Sequence, residues 1–425
     1  MQKNKVTIIG LGYVGLPLAL TILETKKYEV TGFDINEELV KKINEKSLKL
    51  EDKYTKNLLK NLNFKASTNK DTLKNSEYII ICVPTPVYEN KLPNLNPIIS
   101  ASKTILEYLE SGQKIIVEST INPGVSEEIV LPILEENGLK GGKDFELSHC
   151  PERINPGDKK WNVKNIARNI GSLSIEGNKI VADFYRSFLD GEINELTTIK
   201  AAEATKIIEN TFRDINIAYV NELAKSFDKM DIDLTEVIKA ASNKPFAFIA
   251  HFPSCGVGGH CIPVDPYYLI NKAKSIGFDH SFLKKAREVN NSMPHYTIEL
   301  LEEKMEKQQL SFDNSTIALL GLSYKGDVAD LRESPSLIIK SSLEQKNANL
   351  IIFDPYFPEK NTYKSLSETL KNADIIIVAT DHQEFKNLNS KELKNNNIKI
   401  VIDGKNCLNK NELISNNITY KGIGR

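Results

Sequence analysis

The sequence predicts an α/β protein in which two doubly wound, parallel-sheet domains are joined by a helical domain with one long central helix. Three observations predict it. Short apolar runs alternate with helix-like segments over the first third of the chain. A stretch from Lys200 to Met230 has helical periodicity with no Gly or Pro inside it. Alternation then returns at Ser315.

In order along the chain, Lys5–Gly10 reads as a strand, Gly15–Thr25 as a helix and Tyr28–Asp34 as a second strand. Further strands are expected at Tyr78–Pro84, Lys114–Glu118 and Phe145–His149. The middle reads as the long helix Lys200–Met230, followed by Asp233–Ser242 and Asp279–Met293. The last third is expected to form strands at Thr316–Gly321, Asn349–Phe353, Asp374–Thr380 and Ile398–Asp403. A chain of 425 residues exceeds one ordinary core. The expected domains are 1–198, 199–310 and 311–425, with the long helix as a candidate dimer seam.

Composition narrows the class. A hydrophobic fraction of 40%, a charged fraction of 26% and a net charge of −1 describe a globular protein without a polyanion-binding tail. No nucleic-acid partner is expected. The apolar stretch after Lys3 and Lys5 looks like a leader, but glycines interrupt it and no small-residue cleavage site follows. No other run is long enough to span a bilayer, so no membrane association is expected. Five cysteines without a C-x-x-C pair read as reduced thiols in a cytoplasmic protein. Cys82 and Cys407 read as packing residues.

Gly10-Leu11-Gly12-Tyr13-Val14-Gly15 follows a strand and opens a helix, the setting of a dinucleotide-binding turn. The first glycine allows the tight turn, the second admits a pyrophosphate to the helix N-terminus, and the third lets helix pack on strand. Asp34 ends the next strand, where a carboxylate meets the ribose 2′-hydroxyl and repels a 2′-phosphate. NAD is therefore the expected cofactor. Leu320-Gly321-Leu322-Ser323-Tyr324-Lys325-Gly326 echoes this turn, and Ile352-Phe353-Asp354 echoes Gly32-Phe33-Asp34. Two Rossmann-like halves follow, the second with one glycine lost and Lys325 placed to meet a phosphate.

Other candidates carry weaker signals. Lys206 and Asn210 share a helix face and could stabilise an oxyanion, or simply lie on a solvated surface. Cys261 in Gly258-Gly259-His260-Cys261-Ile262-Pro263-Val264-Asp265 could be a nucleophile or a buried small hydrophobe. His251, Cys255, His260 and Cys261 could form a zinc site, but paired C-x-x-C spacing is absent and no metal is expected. Thr85, Thr120 and the Glu152-Arg153-Ile154-Asn155-Pro156-Gly157 turn all follow expected strand ends, where doubly wound sheets hold ligands. Ordinary turn chemistry is the alternative for each.

Together these residues resemble the UDP-glucose/GDP-mannose dehydrogenase family from about Lys5 to Asn406. The matching elements are the glycine turn, Pro84-Thr85-Pro86, Ser119-Thr120, Pro151-Glu152-Arg153, Lys206 with Asn210, Gly258 to Asp265, and Lys325 with Arg332. The Glu152 to Gly157 turn and Lys244-Pro245-Phe246 look most like the UDP-N-acetylhexosamine 6-dehydrogenases. The resemblance implies a four-electron oxidation of a sugar C6 alcohol to a carboxylate with two NAD+, in which Cys261 captures the aldehyde as a thiohemiacetal and then becomes a thioester. It implies that Lys206 and Asn210 stabilise oxyanions, that Asp265 orients Lys206 and water, that Glu152 serves acid/base steps and that Thr120 positions water. NAD is implied to lie on Gly10, Gly12, Tyr13, Val14, Gly15, Asp34, Thr85, Thr120 and Arg332. The UDP-sugar is implied to meet Glu152, Arg153, Lys206, Asn210, Arg213, Phe246, Gly258, Gly259 and Lys325. UDP-N-acetylglucosamine is the expected substrate, for capsule or O-antigen polysaccharide synthesis, with UDP-N-acetylmannosamine and UDP-glucose as close alternatives.

One departure stands out. Relatives carry Pro-Gly-Pro-Gly where this chain has Pro253-Ser254-Cys255-Gly256, and Cys255 has no assigned role. Two readings of other kinds remain: a two-electron hydroxyacid dehydrogenase, and a nucleotide-binding regulator without activity.

Overall fold

A computed structural model describes residues 3–50, 52–88, 90–154 and 160–425. Asn155, Pro156 and Gly157 of the candidate turn lie outside the described residues. The chain divides into two compact units, Met1–Glu209 with Tyr267–Phe278, and Asn210–Pro266 with Asp279–Arg425.

The first unit is built on an eight-stranded sheet: β1 (Lys5–Ile9), β2 (Glu29–Phe33), β3 (Lys65–Ser67), β4 (Tyr78–Ile81), β5 (Lys114–Val117), β6 (Glu146–His149), β7 (Arg168–Ser172) and β8 (Ile193–Glu195). Their spatial order is β3-β2-β1-β4-β5-β6-β7-β8. Register is set by the apolar runs, with Ile8 opposite both Gly32 and Ile80. All four residues of β4 are buried, because helices cover both faces of a parallel sheet. Each such isoleucine contributes about 1.5–3 kcal/mol by leaving water. One pair departs from the parallel expectation: β6 and β7 run antiparallel, with Ser148 and Ser172 joined through their hydroxyls at 2.7 Å. Strands β3, β7 and β8 are short or carry polar residues, so no apolar period marks them in the sequence.

The second unit holds an all-parallel five-stranded sheet: β9 (Thr316–Leu320), β10 (Asn349–Phe353), β11 (Ile375–Val378), β12 (Ile400–Asp403) and β13 (Thr419–Gly422). Its order is β10-β9-β11-β12-β13. The long helix runs Ile199–Lys229, within a residue or two of expectation. The helix expected to end at Met293 instead runs Ser281–Lys307 with Pro294 inside it. A proline there removes one backbone bond and costs roughly 3 kcal/mol. Burial of Met293, Ile298, Leu301 and Met305 along the same helix offsets that cost.

Candidate active site

In the first unit the C-terminal ends of β1, β2, β4, β5 and β6 lead into Gly10, Asp34, Thr85, Thr120 and Glu152 respectively. Gly10 has φ +90°, and a Cβ on it would stand 2.7 Å from the Cys82 carbonyl oxygen. A Cβ on Gly15 would collide with the Gly10 carbonyl, whereas one on Gly12 would meet nothing within 4 Å. Gly10 and Gly15 are thus needed to close the turn, and the open side at Gly12 is a cradle for a ligand. The helix that follows begins at Gly15, just after Tyr13 and Val14, and its positive N-terminal end would suit a diphosphate. The Asp34 carboxylate accepts from Leu11 N at 2.8 Å and from Asn36 N at 2.9 Å and stays half-buried. This donor and acceptor set fits NAD.

The turn after β5 is braced from the long helix. Glu203 is fully buried and accepts from Gly124 N at 2.5 Å and Ser126 N at 2.8 Å, closing the loop that begins at Thr120. Tyr268, also buried, donates its hydroxyl to the Thr85 carbonyl.

Glu152 sits in a buried charge cluster. Arg168 Nη2 lies 3.3 Å from Glu152 Oε1, and Arg168 Nη1 lies 3.4 Å from Glu118 Oε2. Tyr185 donates to Glu118 Oε1 at 2.5 Å, and Ile154 N donates to the other Glu152 oxygen. Burial pushes the Glu118 carboxyl upward against the pull of Arg168 and Tyr185. Arg153 is held in a fork with Glu209, with Nη2 at 2.6 Å and Nε at 3.2 Å, and donates to the Ala167 carbonyl.

Lys206 and Asn210 are 8% and 6% exposed, so neither lies on a solvated helix face. In the second unit Asn210 Nδ2 donates to Asp265 Oδ2 at 2.6 Å. Cys261 is half-buried, and its carbonyl accepts from Val264 N and Asp265 N at 3.0 and 2.8 Å. That turn feeds the helix Asp265–Ser275, whose N-terminal dipole favours an anion nearby. The preceding glycines answer to Tyr324. A Cβ on Gly258 would stand 2.6 Å from Tyr324 Cβ, and one on Gly259, where φ is +89°, would stand 2.8 Å from the Tyr324 ring. Gly259 N also donates to the Arg332 carbonyl at 2.9 Å, while the Arg332 guanidinium pairs with Asp330 at 2.6 Å.

The second glycine turn is closed differently from the first. Asp354 accepts from Leu322 N at 2.6 Å, Ser323 N at 2.9 Å and Ser323 Oγ at 3.1 Å. His382 Nε2 lies 3.2 Å from the same oxygen, and its Nδ1 accepts from Asp327 N at 2.9 Å. The chain between those two anchors carries Lys325. Arg213 is exposed on the long helix, and Phe246 is exposed beneath the Lys244 ammonium, 4.8 Å from the ring centre.

Three models of the UDP-glucose/GDP-mannose dehydrogenase family match in chain order: the NAD binding domain over residues 4–189, the central domain over 200–292 and the UDP binding domain over 318–410. The chain belongs to the UDP-glucose/GDP-mannose dehydrogenase family. It is an NAD-dependent nucleotide-sugar dehydrogenase. Among its relatives are Protein CapL of Staphylococcus aureus, 38% identical with 97% of this chain and 98% of that protein covered, and the UDP-N-acetyl-D-glucosamine 6-dehydrogenase of Pseudomonas aeruginosa, 37% identical with 93% and 94% covered. The solved UDP-D-ManNAc dehydrogenase of Pyrococcus horikoshii superposes with a TM-score of 0.92 at 35% identity, covering 99% of each chain.

For this dehydrogenase the structure answers the question that Cys255 raised. Cys255 is fully buried, its Sγ 3.5 Å from the Ala379 carbonyl, and its N–H donates to the Gly404 carbonyl at 2.7 Å. A proline at this position has no N–H to make that bond. Burial also pushes the thiol upward, which makes it unreactive. Among the described residues no three His, Cys, Asp or Glu side chains are placed to hold a metal ion. Nor, among the described residues, is any helix long and apolar enough to cross a membrane. Sequence reasoning missed Glu118, Arg168, Glu203, Tyr268 and His382. A carboxylate closing an apolar strand, as in Ile116-Val117-Glu118, was the signal available for the first.

Proposed function

We propose that this dehydrogenase oxidises the C6 hydroxyl of a UDP-N-acetylhexosamine to the uronic acid in two successive steps. The observation that carries the reading is the buried Asn210–Asp265 bond beside the Gly258-Gly259-His260-Cys261 turn, in a chain that also has an NAD cradle. UDP-N-acetylglucosamine is the first candidate. UDP-N-acetylmannosamine is the second, favoured by the full-length likeness to the Pyrococcus horikoshii enzyme.

The balance is one alcohol, two NAD+ and one water giving one carboxylic acid, two NADH and two protons. Bound NAD+ supplies the hydride acceptor for each oxidation. In the first, a base takes the C6 hydroxyl proton as hydride leaves C6, giving the aldehyde. Cys261 Sγ then bonds to C6 and the carbonyl oxygen becomes the oxyanion. Lys206 and Asn210 stabilise that charge, a donor pair of the kind worth about 10²–10³ in rate per group. The second hydride leaves C6 of the thiohemiacetal to give a thioester. Water then adds to C6, the C–S bond breaks, and the thiol regains its proton. Glu152 takes and returns protons, Thr120 positions the water, and Asp265 orients the oxyanion donors. Arg153, Arg213, Phe246, Gly258, Gly259 and Lys325 are assigned to the sugar nucleotide, and Gly10–Gly15, Asp34, Thr85, Thr120 and Arg332 to NAD. The assignments divide as 1–198 for NAD, 199–310 for the catalytic Lys and Cys, and 311–425 for the UDP-sugar. Two copies associate through the long helix, where Phe212 and Tyr219 are exposed, and the enzyme acts in the cytoplasm ahead of surface-polysaccharide synthesis.

The test is incubation with NAD+ and a panel of UDP-sugars, with NADH counted and products weighed by mass spectrometry. Two NADH per sugar and a uronic acid are expected. One NADH per sugar would overturn the four-electron reading, and undiminished uronic acid from Cys261→Ser would overturn the nucleophile.

A further inference from the structure

Glu118 and Arg168 take no part in the steps above, yet both side chains are completely buried. Glu118 closes β5, and Arg168 opens β7. One guanidinium serves two carboxylates, reaching Glu118 at 3.4 Å and Glu152 at 3.3 Å, and Nη1 also donates to the Pro151 carbonyl at 3.4 Å. The other titratable groups facing this set are Tyr185 from the helix Ile175–Arg186, Cys82 after β4 and Cys150 after β6. Burial pushes both thiols far upward, so they remain neutral and add no charge. Arg168 is therefore the positive charge of the set, and two acids draw on it.

We propose that Glu118 is a positioning residue that sets the charge Glu152 experiences, acting through Arg168. This rests on the acid/base reading of Glu152. Glu118 shares the guanidinium with Glu152, so Glu152 faces a moderated cation. Without Glu118, the whole guanidinium charge would act on Glu152. Tyr185 sets the same balance one step further out. Its hydroxyl hydrogen bond favours the Glu118 carboxylate, working against the burial that pushes this carboxyl upward.

The experiment is the pH profile of kcat for wild type, Glu118→Gln and Tyr185→Phe, each checked for an unaltered circular dichroism spectrum. In Glu118→Gln the side-chain amide would keep the shape of the site, turning its oxygen to Arg168 and its NH2 to the Tyr185 oxygen. The acidic limb is expected to move down by roughly one pH unit in Glu118→Gln and by less, in the same direction, in Tyr185→Phe. A role confined to stability would lower the plateau or the melting temperature and leave the limb in place, which would overturn the proposal. So would an upward shift, or a Glu152→Gln enzyme that keeps the wild-type limb. Absence of NADH from every UDP-sugar with wild type would instead refute the functional reading itself.

Discussion

Gly10 follows β1 with φ +90°, and Gly321 follows β9 with φ +95°. In each case the next strand ends in an aspartate that reaches back to the residue after the glycine: Asp34 to Leu11 N and Asp354 to Leu322 N. From there the two regions diverge. Asp34 stays half-buried, and the turn it braces is open at Gly12. Asp354 is fully buried, shared among Leu322, Ser323 and His382. Its burial pulls the carboxyl upward, but bonds from His382, Ser323, Leu322 and Tyr356 outweigh that and hold it well below the usual range. The same topology thus yields a half-buried carboxylate at an open turn in one half and a structural keystone in the other. The loss of one glycine is the visible mark of the difference, and the capture of the aspartate is its substance.

Removing the keystone should have the largest effect. Asp354→Ala would strand three backbone N–H groups, of Leu322, Ser323 and Tyr356, together with His382, and cost about 3–5 kcal/mol, read as a lowered denaturation midpoint of the second unit. Asp34→Ala should cost less than about 1 kcal/mol and act instead on NAD, raising its KM by roughly tenfold. If both variants lost stability equally, the contrast between the halves would fail.

Gly10→Ala and Gly321→Ala should come next and resemble each other, at roughly 2–4 kcal/mol each by thermal melting. Both put a Cβ where φ is positive and where a neighbour already stands, Cys82 O at 2.7 Å or Thr380 Oγ1 at 2.5 Å. A marked inequality would show that the turns are not equivalent even in backbone.

The pH dependence sharpens the comparison further. Asp354 has a depressed folded-state value, so its stabilisation is complete above its ordinary 3.8 and is lost as pH falls toward the folded value. Asp354→Asn should therefore flatten the fall in melting temperature below about pH 4. A fall as steep as that of the wild type would overturn this assignment. The smallest effect is expected from Ser323→Gly, which restores the glycine pattern. It would lose the 3.1 Å bond to Asp354, cost about 1 kcal/mol and gain no NAD affinity in calorimetric titration, because Asp354 stays engaged.

Most of the apolar strands were legible because a fully buried parallel strand is a run of Ile and Val, as at Tyr78–Ile81 and Ile375–Val378. The glycine turn and Asp34 were legible because each glycine answers a local steric demand. Strand β7 was not, since Arg168-Asn169-Ile170-Gly171-Ser172 lacks an apolar period and is buried only because its charges are matched by Glu118 and Glu152. Lys206 and Asn210 were placed on one face by spacing, but whether that face was wet or buried depended on what packs over it.

By itself the sequence determined the chain's local geometry: where most apolar strands and the long central helix fall, which glycines must turn, and which carboxylates stand at strand ends. Those follow from neighbours within a few residues, where sterics and periodicity act. Tertiary structure alone decided how the polar groups were spent. It gave Asp354 to a turn rather than a ribose, made Cys255 an anchor through its N–H to Gly404, and set one arginine between Glu118 and Glu152. The physical reason is that the energy of a buried charge or hydrogen bond is fixed by partners brought from distant parts of the chain, and no local pattern names them.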